Sequence, residues 1–97
     1  MKKKEMIGRL TSTGALFRCQ GIIAAAQERN TDPEVIEAIS ALRNDKVLVL
    51  GRRVYSYAYA ALDFLGIEKY SGEDEDVPDL ILFFEECSKN PFHFGKK

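Results

Sequence analysis

The sequence has no tryptophan and one histidine, and these gaps remove much chemistry at the outset. Zinc catalysis and Ser–His or Cys–His mechanisms need a histidine placed by its neighbours. His93 instead stands between Phe92 and Phe94 near the end of the 97 residues, where a packing or tail role fits it better. No glycine-rich phosphate loop is present. With no set of acid, base and nucleophile to assemble, the chain is expected to be non-enzymatic, with no cofactor and no metal.

Long apolar runs are missing too. The apolar stretches are broken by Arg, Gln or Asp well short of the 18 or so residues of a spanning helix, so no membrane segment is expected. The basic start Met1–Glu5 is not followed by the apolar core of a secretory leader. Both points lead to an expected cytoplasmic location. The only cysteines, Cys19 and Cys87, belong to no CxxC pattern. They read as buried thiols in a reducing compartment, with a disulfide between them as the alternative.

Charge of either sign is not in excess. The net charge is −1, which supplies no global field to hold nucleic acid or an anionic membrane. Residues 1–50 carry eight Lys/Arg against six Asp/Glu, and residues 51–97 carry six against nine. Apolar residues make up 45% and charged residues 30%, which fits one globular domain spanning 1–97.

What is present is helical punctuation. Helices are expected over about Lys3–Leu10, Ala15–Arg29, Pro33–Arg43, Gly51 or Arg52 to Leu65, and Val77–Ser88. Ser12 or Thr13 can cap the second. Asp32 with Pro33 opens the third: the carboxylate accepts from free N–H groups, and proline lacks an N–H that would be unpaired anyway. Gly66 closes the fourth in the left-handed conformation. Val47–Leu50 has strand composition, but no second strand is evident to pair with it, so it reads as a tight connector. Three adjoining apolar rows over Val54–Leu65 mark a central, buried helix.

An internal repeat is also visible. DPEVIEAISAL at 32–42 matches DEDVPDLILFF at 74–84 at an offset of 42. RCQGIIAAA at 18–26 matches RVYSYAYAA at 53–61 at an offset of 35, setting Arg18 against Arg53, Gly21 against Ser56, and Ala25-Ala26 against Ala60-Ala61. A period near 40 with paired helices marks an α-solenoid, whose hairpins bury one another's apolar faces. Chance similarity of amphipathic helices is the alternative. The run DPEVIEAISAL…GRRVYSYAYAALDFLG, residues 32–66, resembles a HEAT repeat. The resemblance implies an all-α fold of about five antiparallel helices in a short HEAT-like α–α superhelix, with second helices presenting a protein-binding surface.

Candidate contacts follow from this arrangement. Arg18, Gln20, Gln27, Arg52, Arg53, Tyr55, Tyr59 and Asp63 form the expected strip for a protein partner, with a second copy of the chain as a variant. Arg and Tyr are the residue types that dominate binding hot spots. The same Arg/Tyr set makes a nucleic-acid reading conceivable, but the Tyr57–Ala60–Phe64 row says core and disfavours it. The acidic run Glu73–Asp76 with Asp79 lacks the glycine of a calcium loop and suits a helix N-terminus. A second reading makes loop 73–79 the contact of a small regulatory or immunity-type inhibitor that blocks a basic enzyme. The tail 91–97 either caps the last helix or is received by a partner.

Overall fold

A computed structural model describes residues 1–89, apart from the side chains of Ser88 and Lys89. The tail 91–97, with its cap-or-partner alternative, lies outside the described residues. Five helices are present among them: α1 Lys3–Leu10, α2 Ala15–Gln27, α3 Pro33–Ala41, α4 Val54–Phe64 and α5 Asp76–Lys89. A 3-10 turn, Leu42–Asn44, extends α3, and two short strands, β1 Leu48–Val49 and β2 Arg52–Arg53, precede α4. The fold is mostly helical, and no helix of the described residues is long and apolar enough to cross a membrane.

Local chemistry explains the boundaries. The Glu34 amide donates to the Asp32 carboxylate at 2.9 Å, with Pro33 behind it in the first turn, as the sequence predicts. That backbone donor is the main reason the Asp32 carboxyl titrates below its ordinary range, with Lys3 adding to it. Gly66 ends α4 at φ 76°, and the amides of Gly66 and Ile67 donate to the carbonyls of Asp63 and Leu62. Helix α2 ends the same way without a glycine: Arg29 takes the left-handed position at φ 50°, with Asn30 bonded to Ala25 and Arg29 to Ala26. Ser12 and Thr13 do not cap α2. Gly14 holds that place without a side-chain bond, and the Ser12 hydroxyl accepts instead from the Gly14 amide at 3.1 Å, bending the connector.

Val47–Leu50 is not a bare connector. Leu48 pairs with Arg53 and Val49 with Arg52 in an antiparallel hairpin. The partner strand carries only arginines, so no apolar alternation announces it. Leu50 and Gly51 form its two-residue turn at φ 56° and 84°, the double positive φ of a type I′ turn. The hairpin also does the work of a helix cap. Arg53 gives α4 no side-chain cap, but the free amides of Val54 and Tyr55 donate to the carbonyls of Val47 and Asp45, both at 2.9 Å. The buried Tyr57 hydroxyl donates to the Val49 carbonyl at 3.1 Å and fastens the hairpin to α4.

Helix α4 is central and buried over most of its circumference, packing on α2, α3 and α5. Helices α1 and α2 are antiparallel: the Met1 amino group meets Glu28 at 2.7 Å, past the end of α2, while Leu10 lies against Gly21 in its middle. Helices α2 and α4 run in the same sense, since Ile23 and Tyr57 share one cleft and Arg29 stands over Phe64 further along. Helix α5 departs from the antiparallel expectation. Its start meets the start of α4 through Ser56–Asp74 and Arg52–Asp76, and Phe84 meets Phe64 near the α4 end. The two helices therefore run in the same direction, which loop 65–75 permits by returning the chain along the whole of α4. Helix α5 packs on α4 and α2. It covers the second helices that the HEAT resemblance would leave exposed for binding.

Small residues set the close crossings. A Cβ on Gly21 would stand 2.9 Å from Leu10 Cγ and 3.1 Å from the Leu10 backbone nitrogen. Ala25, Ala26, Ala60 and Ala61 are all fully buried. Gly21→Val should lose about 2–3 kcal/mol through overpacking. In a domain this size that is a fall of roughly 10 °C or more in melting temperature by circular dichroism. An unchanged melt would mean that α1 can step away from α2 freely.

Candidate functional site

A mainly apolar cleft lies between the hairpin tip, α2 and the first half of α5. It encloses about 270 Å³ and is lined by Ile23, Leu50, Arg52, Tyr57, Asp79, Leu80 and Phe83. The hairpin places Leu50 at its lip. Leu50 is the first of the two left-handed residues of the turn, and it is 81% exposed. Phe83 is 44% exposed, while its neighbour Phe84 is fully buried under α4. Arg52, carried by β2, reaches Asp76 at 3.5 Å, and its buried Nε makes no hydrogen bond. Burial in this region also pushes the Tyr57 hydroxyl above its ordinary pKa.

A second, more polar cleft of about 460 Å³ lies further along α5, lined by Arg29, Asp63, Phe64, Ile81 and Glu85. The Arg29 guanidinium sits 4.6 Å from the centre of the Phe64 ring, so part of this wall is already stacked.

The residues of the expected strip are scattered over the fold. Arg18 is largely enclosed: it donates to Asp45 at 2.7 Å and to the Ser12 and Thr13 carbonyls at 2.9 and 3.0 Å. The Gln20 side chain accepts from Arg9. Tyr59 packs on Tyr70 with ring centres 5.2 Å apart, and the Asp63 carboxylate accepts from the Tyr70 amide at 2.8 Å. Tyr55 is half-buried. Arg53 and Gln27 are exposed, Arg53 with one bond to the Lys46 carbonyl at 2.7 Å. Arg52 alone belongs to the apolar cleft. Leu50, Asp79 and Phe83 are absent from the expected strip.

The acidic loop divides as well. Asp74 is structural: it accepts from the Ser56 hydroxyl and the Asp76 amide, and its own amide donates to the Tyr70 hydroxyl at 3.0 Å. Asp76 faces Arg52. Glu73, Glu75 and Asp79 are exposed.

Comparison with models of known protein families, with curated proteins and with solved structures finds no match. The chemistry of the surface therefore has to speak for itself. Among the described residues no group of three or more His, Cys, Asp or Glu side chains is placed to hold a metal. Cys19 and Cys87 are free thiols, and burial pushes Cys19 up to about 11, far from a reactive thiolate.

Proposed function

We propose that this chain is a non-enzymatic protein-interaction module, a short helix-repeat unit of HEAT-like kind that binds through the cleft between the hairpin tip and α5. The observation that carries this is Leu50. A large apolar side chain at 81% exposure gains little from folding, and a left-handed backbone costs a non-glycine residue about 1 kcal/mol or more. Stability alone disfavours leucine here; a partner that buries it would account for it. The pairs α1–α2 and α3–α4 and the small-residue crossings support the repeat reading. The two free thiols support a cytoplasmic setting.

Leu50→Asn tests the proposal. Asn-Gly is the preferred pair for a type I′ turn, so the variant should gain roughly 0.5–1 kcal/mol of stability by urea denaturation. It should also lose a partner that the native sequence captures from a lysate of the source cells. Capture that is indifferent to Leu50 would place binding elsewhere.

A second reading is a small inhibitor that blocks a basic enzyme through loop 73–79. The exposed carboxylates of Glu73, Glu75 and Asp79 support it, while Asp74 and Asp76 are already engaged inside the fold.

A further inference from the structure

We infer that the cleft receives one large apolar side chain from a basic segment of a protein partner. This rests on the interaction-module reading and adds the chemistry of the partner.

Size sets the first limit. Cofactor and drug-like sites run from about 300 to 1,000 Å³ and enclose most of their ligand. A cleft of about 270 Å³ open on one side suits a single anchoring side chain, the usual centre of a protein–protein hot spot. The walls Ile23, Leu50, Leu80 and Phe83 offer it apolar contact.

Charge sets the second. On α5, Asp79 lies four residues before Phe83 and Glu86 three after it, so both share its outer face, and both are exposed. Glu73 and Glu75 precede the helix and are exposed as well. The one cation lining the cleft, Arg52, already faces Asp76. Asp79 thus lines the cleft and Glu86 shares the Phe83 face of α5, and among the described residues neither carboxylate is in an ion pair. A Lys or Arg beside the inserted side chain would meet them, and a neutral or acidic segment would not.

The same charges argue against a symmetric pair of copies. A two-fold interface sets a patch against itself, which would bring Asp79 and Glu86 of one copy against those of the other. Nucleic acid and anionic lipid meet the same repulsion.

The test is titration of the full chain, ¹⁵N-labelled, with three blocked synthetic pentapeptides: Lys-Lys-Phe-Lys-Lys, Lys-Lys-Ala-Lys-Lys and Glu-Glu-Phe-Glu-Glu. The Lys–Phe peptide should shift the amides of Leu50, Asp79 and Phe83. It should bind about tenfold more tightly than the Lys–Ala peptide, and more weakly as salt rises from about 50 to about 300 mM. The Glu–Phe peptide should leave the spectrum unchanged. Asp79→Asn with Glu86→Lys should weaken the Lys–Phe peptide about tenfold while lowering the melting temperature by only a few degrees, since both side chains are exposed and Asn keeps the first turn of α5 free of a cation. The inference is overturned by equal binding of the Lys–Ala or Glu–Phe peptide, by shifts mapping elsewhere, or by no shift from the Lys–Phe peptide at millimolar concentration. A mass that rises with concentration in light scattering and perturbs the same amides would overturn it in favour of a second copy. A natural partner lost on Leu50→Asn but contacting the cleft through an acidic or uncharged segment would sink this inference alone. A partner indifferent to Leu50 would sink the module reading beneath it.

Discussion

Phe84→Ala should cost about 3–5 kcal/mol and leave the chain close to its unfolding midpoint at physiological temperature. Phe84 is fully buried, with ring centres 5.9 Å from Phe64 and 5.7 Å from Phe83. Truncation removes apolar area from the seam between α5 and α4, and the surrounding helices cannot fully close the gap. The control is one residue away. Phe83 is 44% exposed, so Phe83→Ala should cost about 1 kcal/mol or less while removing a wall of the cleft. Urea denaturation of both variants by circular dichroism separates them. A loss under about 1 kcal/mol for Phe84→Ala would show that α5 is an accessory laid over an independently stable four-helix unit. A large loss in a single transition makes α5 part of the one core, so that the face it covers stays covered when a partner arrives.

That dependence on α5 also explains how far the fold was legible. Helix ends set by local chemistry were readable: Asp32-Pro33 and Gly66 act through bonds within a turn. Helix α4 was readable as central, because three adjoining apolar rows leave it no face for solvent. Arg29 was not readable as a left-handed terminator, since nothing in the neighbouring residues requires it; the hydrogen bonds of the last turn and the stack on Phe64 hold it there. The hairpin was missed because strand β2 is an Arg-Arg pair whose pairing follows from a two-residue turn rather than from hydrophobic alternation. The direction of α5 was beyond local reasoning. A long loop can return a helix in either sense, and the choice depends on Phe84, Leu80 and Val77 finding α4 and α2.

The candidate site shows the same division. Arg and Tyr were chosen for their chemistry as hot-spot residues, but a guanidinium with three good acceptors inside the fold is not free to bind. Arg18 is that case. The repeat matched it to Arg53 as one solvent-facing strip, and the two differ sharply: Arg53 is exposed, whereas Arg18 has only 14% of its side chain accessible. Leu50 and Phe83 were passed over because apolar residues read as core until the fold shows which of them stay outside.

Arg18→Ala is the substitution that separates the two roles. Its guanidinium binds Asp45, whose side chain is only 12% accessible, and draws in the carbonyls of Ser12 and Thr13 from the α1–α2 connector. Asp45 in turn lies at the root of the hairpin, accepting the Val47 amide on its side chain and the Tyr55 amide on its carbonyl. Removing Arg18 leaves an enclosed carboxylate without its cation and two connector carbonyls without their donor. The expected loss is about 2–4 kcal/mol, below the full figure for a buried pair because water still reaches both groups. Arg53→Ala should stay within about 0.5 kcal/mol, as ordinary surface substitutions do. Replacing both partners, Arg18→Met with Asp45→Leu, should recover part of the loss, because neither then strands the other. Urea denaturation of these three variants beside the native chain gives the comparison. If Arg18→Ala keeps full stability and weakens partner capture instead, Arg18 returns to the binding surface and the clustering of function at the Leu50 cleft is wrong. If stability falls as expected, partner capture measured well below the melting temperature should be unchanged, since Arg18 lines no part of the cleft.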